Sequence, residues 1–222
     1  MKKYLDIWQF DENGLPQYRQ GGWDWGDWGF EIDCHLIEVS FYYLALEGAR
    51  NMAELLGLPE DAASYTDRME KACNGFRSCW TGTEYRAPGY EGDTDDRVQA
   101  MAVVCGFAEP DKYPAISAIL HDKSYASSYM EKYVMDALFK MGEPEYAVER
   151  VQQKYGPMVY HPDHTTLFEG WLVGSGIYGG GSTNHAWSGG PLISMCQLIL
   201  GVNPTSAGWK TFSVAPNPVS IK

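Results

Sequence analysis

The sequence predicts a mainly α-helical protein of the α/α toroid class. Three observations predict it. Apolar residues recur at helical spacing over most of the chain. Glycine–proline punctuation pairs those helices through short links. Long aromatic and glycine-rich loops alternate with the short links, so the loops gather at one end of the paired helices.

Residues 1–30 lack periodicity and read as loop, with one short strand near Tyr4–Phe10. From Glu31 the pattern changes. Ile32, Leu36, Val39, Tyr43, Leu46, Met52 and Leu56 form the apolar stripe of a long helix. Gly57 stops it and Pro59 starts the next, because glycine accepts the left-handed cap and proline lacks only an N–H that is unpaired there anyway. Residues 60–79 carry Ala63, Met69, Cys73 and Phe76 on a second amphipathic helix, which completes an αα-hairpin. Residues 80–93 are rich in turn formers and read as a long loop. Helices follow at Asp95–Cys105, Pro114–Leu120 and 127–141, the last broken by Gly142 and Pro144. Glu145–Tyr155 is a further helix, ended by Gly156-Pro157. A loop at 156–184 precedes a last helix, His185–Leu200. Trp209–Pro218 alternates apolar and polar residues and reads as one lone strand. Six or seven helices make about half of a twelve-helix barrel, and a strand without a partner is unstable by itself. Both ends of the chain therefore read as cut.

The 222 residues are enough for a full core in one domain, or at most two. The 29 acidic residues exceed the 17 basic ones and give a net charge of −12, which excludes a nucleic-acid footprint and disfavours anionic membranes. No run reaches transmembrane length, and Met1-Lys2-Lys3 is not followed by an apolar signal core, so the chain reads as soluble, cytoplasmic or periplasmic. Its five cysteines are odd in number and include no C-x-x-C. They read as small apolar helix residues that suit a reducing compartment.

Two clusters carry the chemistry. Thr165-Thr166-Leu167-Phe168-Glu169-Gly170-Trp171 sets one carboxylate between aromatic residues. Gly22-Trp23-Asp24-Trp25-Gly26-Asp27-Trp28-Gly29 repeats the theme. Aromatic walls raise a carboxyl group's proton affinity and give flat faces on which a sugar ring stacks. Paired carboxylates among aromatics are what glycoside cleavage needs. Glu169 is the leading candidate, against the plainer reading of a loop carboxylate bonded to backbone. Asp24 and Asp27 are the candidates for a second carboxylate, against loop residues fixed by Asx-type hydrogen bonds. His185 follows Asn184, which stands in N-cap position. It is either a ligand contact or a structural histidine at the helix start. His161, Asp163 and His164 make a solvated loop rather than a metal site. Glu91–Asp96 lacks the calcium-loop pattern and reads as a helix N-terminus favoured by acids. Gly179-Gly180-Gly181 follows no strand and reads as a turn. Neither a metal nor a cofactor is expected.

These motifs resemble those of the bacterial α-L-rhamnosidases, glycoside hydrolase family 78. Thr165–Trp171 is similar to their T-T-x-W-E-x-W motif and Ser182–Gly189 to their S-x-N-H-x-x-x-G motif. Trp25-Gly26-Asp27-Trp28 resembles their G-D-W segment, and Gly208-Trp209-Lys210 through Pro216 resembles the strand that leaves the barrel for a C-terminal β-sandwich. The resemblance implies a six-hairpin glycosidase fold. Residues 1–205 would be part of an (α/α)6 barrel and 206–222 the start of the sandwich. It implies inverting hydrolysis without a metal, with Glu169 as the general base. His185 and Trp28 would contact a rhamnoside, Trp171 would add a wall, and Asp27 would shape the pocket edge. The family's general acid lies in an upstream R-E-R-x-G-W-x-G-D-like stretch that this sequence does not contain. The second carboxylate must then come from Asp24 or Asp27 or from an absent N-terminal half, and the apolar flank that half a toroid exposes implies dimerisation or pairing with a separate N-terminal half. Two other readings stay open: a carbohydrate-binding remnant without turnover, and another (α/α)6 sugar hydrolase or lyase.

Overall fold

A computed structural model describes residues 2–18, 25–173 and 181–220, so Asp24 and most of the triple glycine lie outside the described residues. The chain forms two compact units. The first comprises residues 1–26 and 31–123; the second comprises residues 27–30 and 124–222.

The first unit opens with a helical turn, α1 (Lys2–Leu5), where a strand was expected. Leu5 drives this choice. It is buried in a cluster with Tyr42, Leu46, Ala49, Ala53, Tyr65 and Met69, and a turn of helix aims it there. Phe10 alone keeps the extended pairing, in a bridge to Pro16. The loop between them packs against the helix that carries Gly75: a Cβ on Gly75 would stand 2.4 Å from the backbone of Gly14 and Leu15, so only glycine fits.

Helix α2 (Cys34–Leu55) and helix α3 (Pro59–Ser78) form the expected hairpin, with Gly57 at φ +67° between them. The buried stripe of α2 runs through Leu36, Val39 and Leu46 as expected, then continues through Ala49 and Ala53. Met52 and Leu56 are 51% and 69% exposed, because the small alanines let α3 approach closely on their side. Helix α4 (Asp96–Val104) is buried on all sides from Asp96 to Val103, and α2 and α5 (Tyr113–Asp122) pack against it. The 80–93 loop is latched to α4 by Gln99, whose amide accepts from Tyr85 N at 2.9 Å and donates to Tyr85 O at 2.7 Å.

A buried polar node organises the helix starts of this unit. Asp33 caps α2 through Leu36 N and also accepts from Ala87 N at 2.7 Å. Asp95 caps α4 through Arg97 N and accepts from Asp33 N at 2.9 Å and Arg97 Nε at 2.6 Å. Burial pushes both carboxyl groups up, Asp95 to about 7, although Arg97 opposes the shift at Asp95 and backbone N–H donors oppose it at Asp33.

The second unit contains α6 (Glu131–Lys140), α7 (Pro144–Val159) and α8 (Gly190–Ser194), the last preceded by a 3-10 turn, Ala186–Gly189, and followed by a π turn, Met195–Ile199. Helix α7 passes through Gly156-Pro157 instead of ending there. Tyr155 and Met158 are buried, and that burial outweighs the one backbone bond that proline removes. Helix α6 begins four residues later than expected because Ser127 and Ser128 are committed to side-chain bonds described below. The C-terminal strand is not alone. Strand β2 (Phe212–Val214) pairs antiparallel with β1 (Val202–Pro204), with Val202 opposite Val214. Among the described residues no helix is long and apolar enough to cross a membrane.

Candidate active site

The second unit brings the two specific motifs together. Leu167–Glu169 lies beside Ser182–His185: Glu169 N donates to Ser182 O at 3.0 Å and His185 N to Leu167 O at 2.9 Å. The side chains of Glu169 and His185 thus emerge side by side, with Glu169 Oε2 3.8 Å from His185 Nδ1. That distance exceeds a hydrogen bond. The Glu169 side chain is 17% exposed, which leaves it access to a small molecule while most of its solvent shell is gone.

His185 itself occupies the N-cap position of the 3-10 turn, one residue later than Asn184, and its ring makes no capping bond. It lies against Trp187, ring centres 4.3 Å apart, and Tyr129 packs on Trp187 at 5.3 Å. The indole Nε1 of Trp187 donates to Glu169 O at 3.1 Å.

Trp171 forms a second aromatic wall whose orientation is fixed. Its Nε1 donates to Ala126 O at 3.0 Å, Tyr155 meets it edge-on at 5.0 Å, and the Lys154 ammonium sits 4.7 Å from the ring centre. Lys154 also bonds Ala126 O at 3.0 Å and Glu131 Oε2 at 2.9 Å, and Arg150 Nε reaches Glu131 Oε1 at 2.5 Å. Burial alone would raise the Glu131 carboxyl, but Lys154 and Arg150 together hold it below the usual glutamate range.

Asp27 is 3% exposed, and both its oxygens accept from Ser127: Oδ2 from the backbone N at 2.9 Å, Oδ1 from the hydroxyl. Trp28 follows it, half-buried in the same short loop, Asp27–Phe30. The next residue, Ser128, reaches Glu169 O at 3.0 Å through its hydroxyl. Asp27 is thereby connected to Glu169 through the Ser127-Ser128 backbone. His161 and His164 lie against each other, and both meet Phe168 edge-on.

Sequence reasoning missed Ser127, Ser128 and Tyr155. No local pattern marks them, since their partners lie 27 to 100 residues away. Ser188 was visible only as part of the His185 motif; its hydroxyl reaches Ser128 Oγ at 2.8 Å and Phe168 O at 2.5 Å.

Known proteins share this fold. The model of the bacterial α-L-rhamnosidase six-hairpin glycosidase domain matches residues 1–199. Among solved structures, the chain is similar to the family 78 rhamnosidase of Bacillus sp. GL1, at 25% identity and a TM-score of 0.76, over 98% of this chain and 24% of that one. It is similar in fold to the α-L-rhamnosidase from Dictyoglumus thermophilum, at 22% identity and 0.77, over 98% and 26%. A rhamnosidase from Klebsiella oxytoca with rhamnose bound matches at 21% identity and 0.69, over 85% and 39%. A search of curated protein sequences gives no match. The chain spans well under half the length of each of these structures. A family match over residues 1–199 of 222, together with the helical hairpins and the paired Glu169 and His185 motifs, establishes that the chain belongs to the bacterial α-L-rhamnosidase six-hairpin glycosidase family.

Proposed function

We propose that this chain carries the general-base half of a site that hydrolyses terminal α-L-rhamnosides with inversion. The observation that carries the reading is Glu169: a partly exposed carboxylate beside His185, next to the fixed ring of Trp187. In the reaction, Glu169 takes a proton from water as that water attacks the anomeric carbon. The glycosidic C–O bond breaks, and the leaving oxygen takes a proton from a second carboxyl group, giving free sugar and a free hydroxyl on the leaving group. His185 hydrogen-bonds the sugar hydroxyls, and Trp171 and Trp28 supply apolar faces. No metal is required for these steps.

Asp27 is a poor source of the second proton, because Ser127 occupies both its oxygens. We assign it the positioning of Ser127 instead. The acid is then another carboxyl group, from Asp24, from a second copy of the chain or from a separate N-terminal half. The same observation favours a second reading, in which the isolated chain binds the sugar without turning it over.

The test is hydrolysis of p-nitrophenyl α-L-rhamnoside, beside the corresponding glucoside and galactoside, by the purified chain and its Glu169→Gln variant. The proposal expects rhamnoside-selective hydrolysis that falls about 10²–10⁴-fold in the variant. Equal activity in both proteins would remove Glu169 from the mechanism. No activity in either, with rhamnose still bound, would favour the binding reading.

A further inference from the structure

The carboxylate of Glu169 receives no hydrogen bond among the described residues; the imidazole Nδ1 of His185 stands 3.8 Å away. A base must nevertheless be held to about 0.5 Å of its working position. The restraint therefore acts on the backbone. Glu169 O accepts from two side chains, Ser128 Oγ at 3.0 Å and Trp187 Nε1 at 3.1 Å, while Glu169 N donates to Ser182 O. The preceding carbonyl, Phe168 O, lies 2.5 Å from Ser188 Oγ.

Ser128 is the hub of this clamp. It is fully buried, in the turn that leads into α6. Its carbonyl accepts from Tyr155 OH at 2.6 Å, and the neighbouring Ser127 is gripped by Asp27. Ser128 and Ser188 bring one hydroxyl hydrogen each to three contacts: one between the two hydroxyls, one to Glu169 O and one to Phe168 O. With Ser128 donating to Glu169 O, Ser188 has one hydrogen for either Phe168 O or the Ser128 oxygen. The two hydroxyls thus couple adjacent carbonyls of the base-bearing segment to the start of α6.

We propose that Ser128 is a positioning residue for the general base: its hydroxyl fixes the Glu169 peptide so that the carboxylate stays beside His185. This inference rests on the assignment of Glu169 above. Ser128→Ala is a clean probe. It leaves Glu169 O bonded to Trp187 and Ser188 bonded to Phe168 O, so no buried partner is stranded and the fold survives. Ser128→Cys keeps the shape and weakens the donor.

The experiment measures kcat and KM on p-nitrophenyl α-L-rhamnoside, together with the His185 ring resonances by NMR at one fixed pH. The wild-type chain, Ser128→Ala, Ser128→Cys and Glu169→Gln are compared. Positioning predicts that kcat falls about 10-fold or more in both serine variants with KM little changed. It also predicts that the His185 resonances move in the same direction as in Glu169→Gln, because the nearby carboxylate has shifted or gone. Full recovery of kcat by Ser128→Cys would mean that only shape matters and would overturn the proposal. Unmoved His185 resonances in Ser128→Ala would also overturn it, and that readout needs no turnover. Hydrolysis that survives Glu169→Gln would instead sink the assignment of the base, while the resonances still judge the clamp.

Discussion

In the first unit Asp95 meets one guanidinium, Arg97, and a neighbouring carboxylate, Asp96; in the second Glu131 meets two cations, Arg150 and Lys154. Both carboxylates are buried, yet their affinities for protons move in opposite directions. The difference follows from what each holds. Asp33 spends its oxygens on backbone N–H groups of a helix start and the 80–93 loop, and Asp95 divides its own between backbone N–H groups and the single guanidinium of Arg97, which compensates a buried charge less fully than two cations do. Glu131 spends its oxygens on full cations, and one of them, Lys154, supports Trp171 beside the candidate site. A buried acid tied to backbone makes a scaffold joint; one tied to cations makes a rigid mount for a functional wall.

The largest expected effect is at the mount. Glu131→Gln removes the anion that the buried Arg150 and the partly exposed Lys154 share and should cost about 3–5 kcal/mol, read as a fall in the denaturant midpoint. A loss below about 1 kcal/mol would show that water replaces the carboxylate. Asp95→Asn should cost less, about 1–2 kcal/mol near neutral pH, because it removes a charge whose burial is only partly compensated.

The two nodes should also separate in their pH dependence. With a folded value of about 7 and an unfolded value of about 4, Asp95 contributes stability that is fully present below pH about 4 and lost as pH rises through about 7. Glu131, held low, contributes stability present above its ordinary range and lost as pH falls through its folded value. Thermal melts between pH 2.5 and 8 should therefore show the penalty of Asp95→Asn shrinking as pH rises from about 4 to about 7, and that of Glu131→Gln holding level above pH about 4.5 and shrinking only below it. Parallel curves for the two variants would contradict the contrast.

Smaller effects test the packing around the nodes. Gly75→Ala places a methyl group 2.4 Å from the Gly14–Leu15 backbone and should cost about 1–3 kcal/mol by forcing the N-terminal loop away. Arg50→Ala removes long pairs with Glu47 and Glu54 at 3.8 and 3.9 Å and exposed hydrogen bonds to the neighbouring Asn51 side chain, and should change stability by less than about 0.5 kcal/mol.

Much of the helical framework was legible from sequence because its signals are local. The Leu36–Leu46 stripe, Gly57 and Pro59 place the first hairpin, and the acid-rich start places α4 at Asp95. Proline at 157 misled because its cost is local while the burial of Met158 that outweighs it is not. Likewise Leu5 makes a helical turn from an alternating sequence, and β2 finds its partner ten residues upstream. At the candidate site, Glu169, His185, Trp171, Trp28 and Asp27 could be named from motifs. Neither the pairing of Glu169 with His185 nor the clamp through Ser128 was read from those motifs, since both depend on contacts between distant segments and a buried serine has no periodic or compositional signature.

The most direct test of the account compares L-rhamnose binding by calorimetry in the wild-type chain, His185→Ala and Asp95→Asn. The account predicts binding that weakens about 10-fold or more on loss of His185 and changes less than about 2-fold on loss of the Asp95 charge, about 1.4 kcal/mol against a few tenths. Failure of the wild-type chain to bind rhamnose, or equal losses in both variants, would contradict the placement of the sugar site in the second unit.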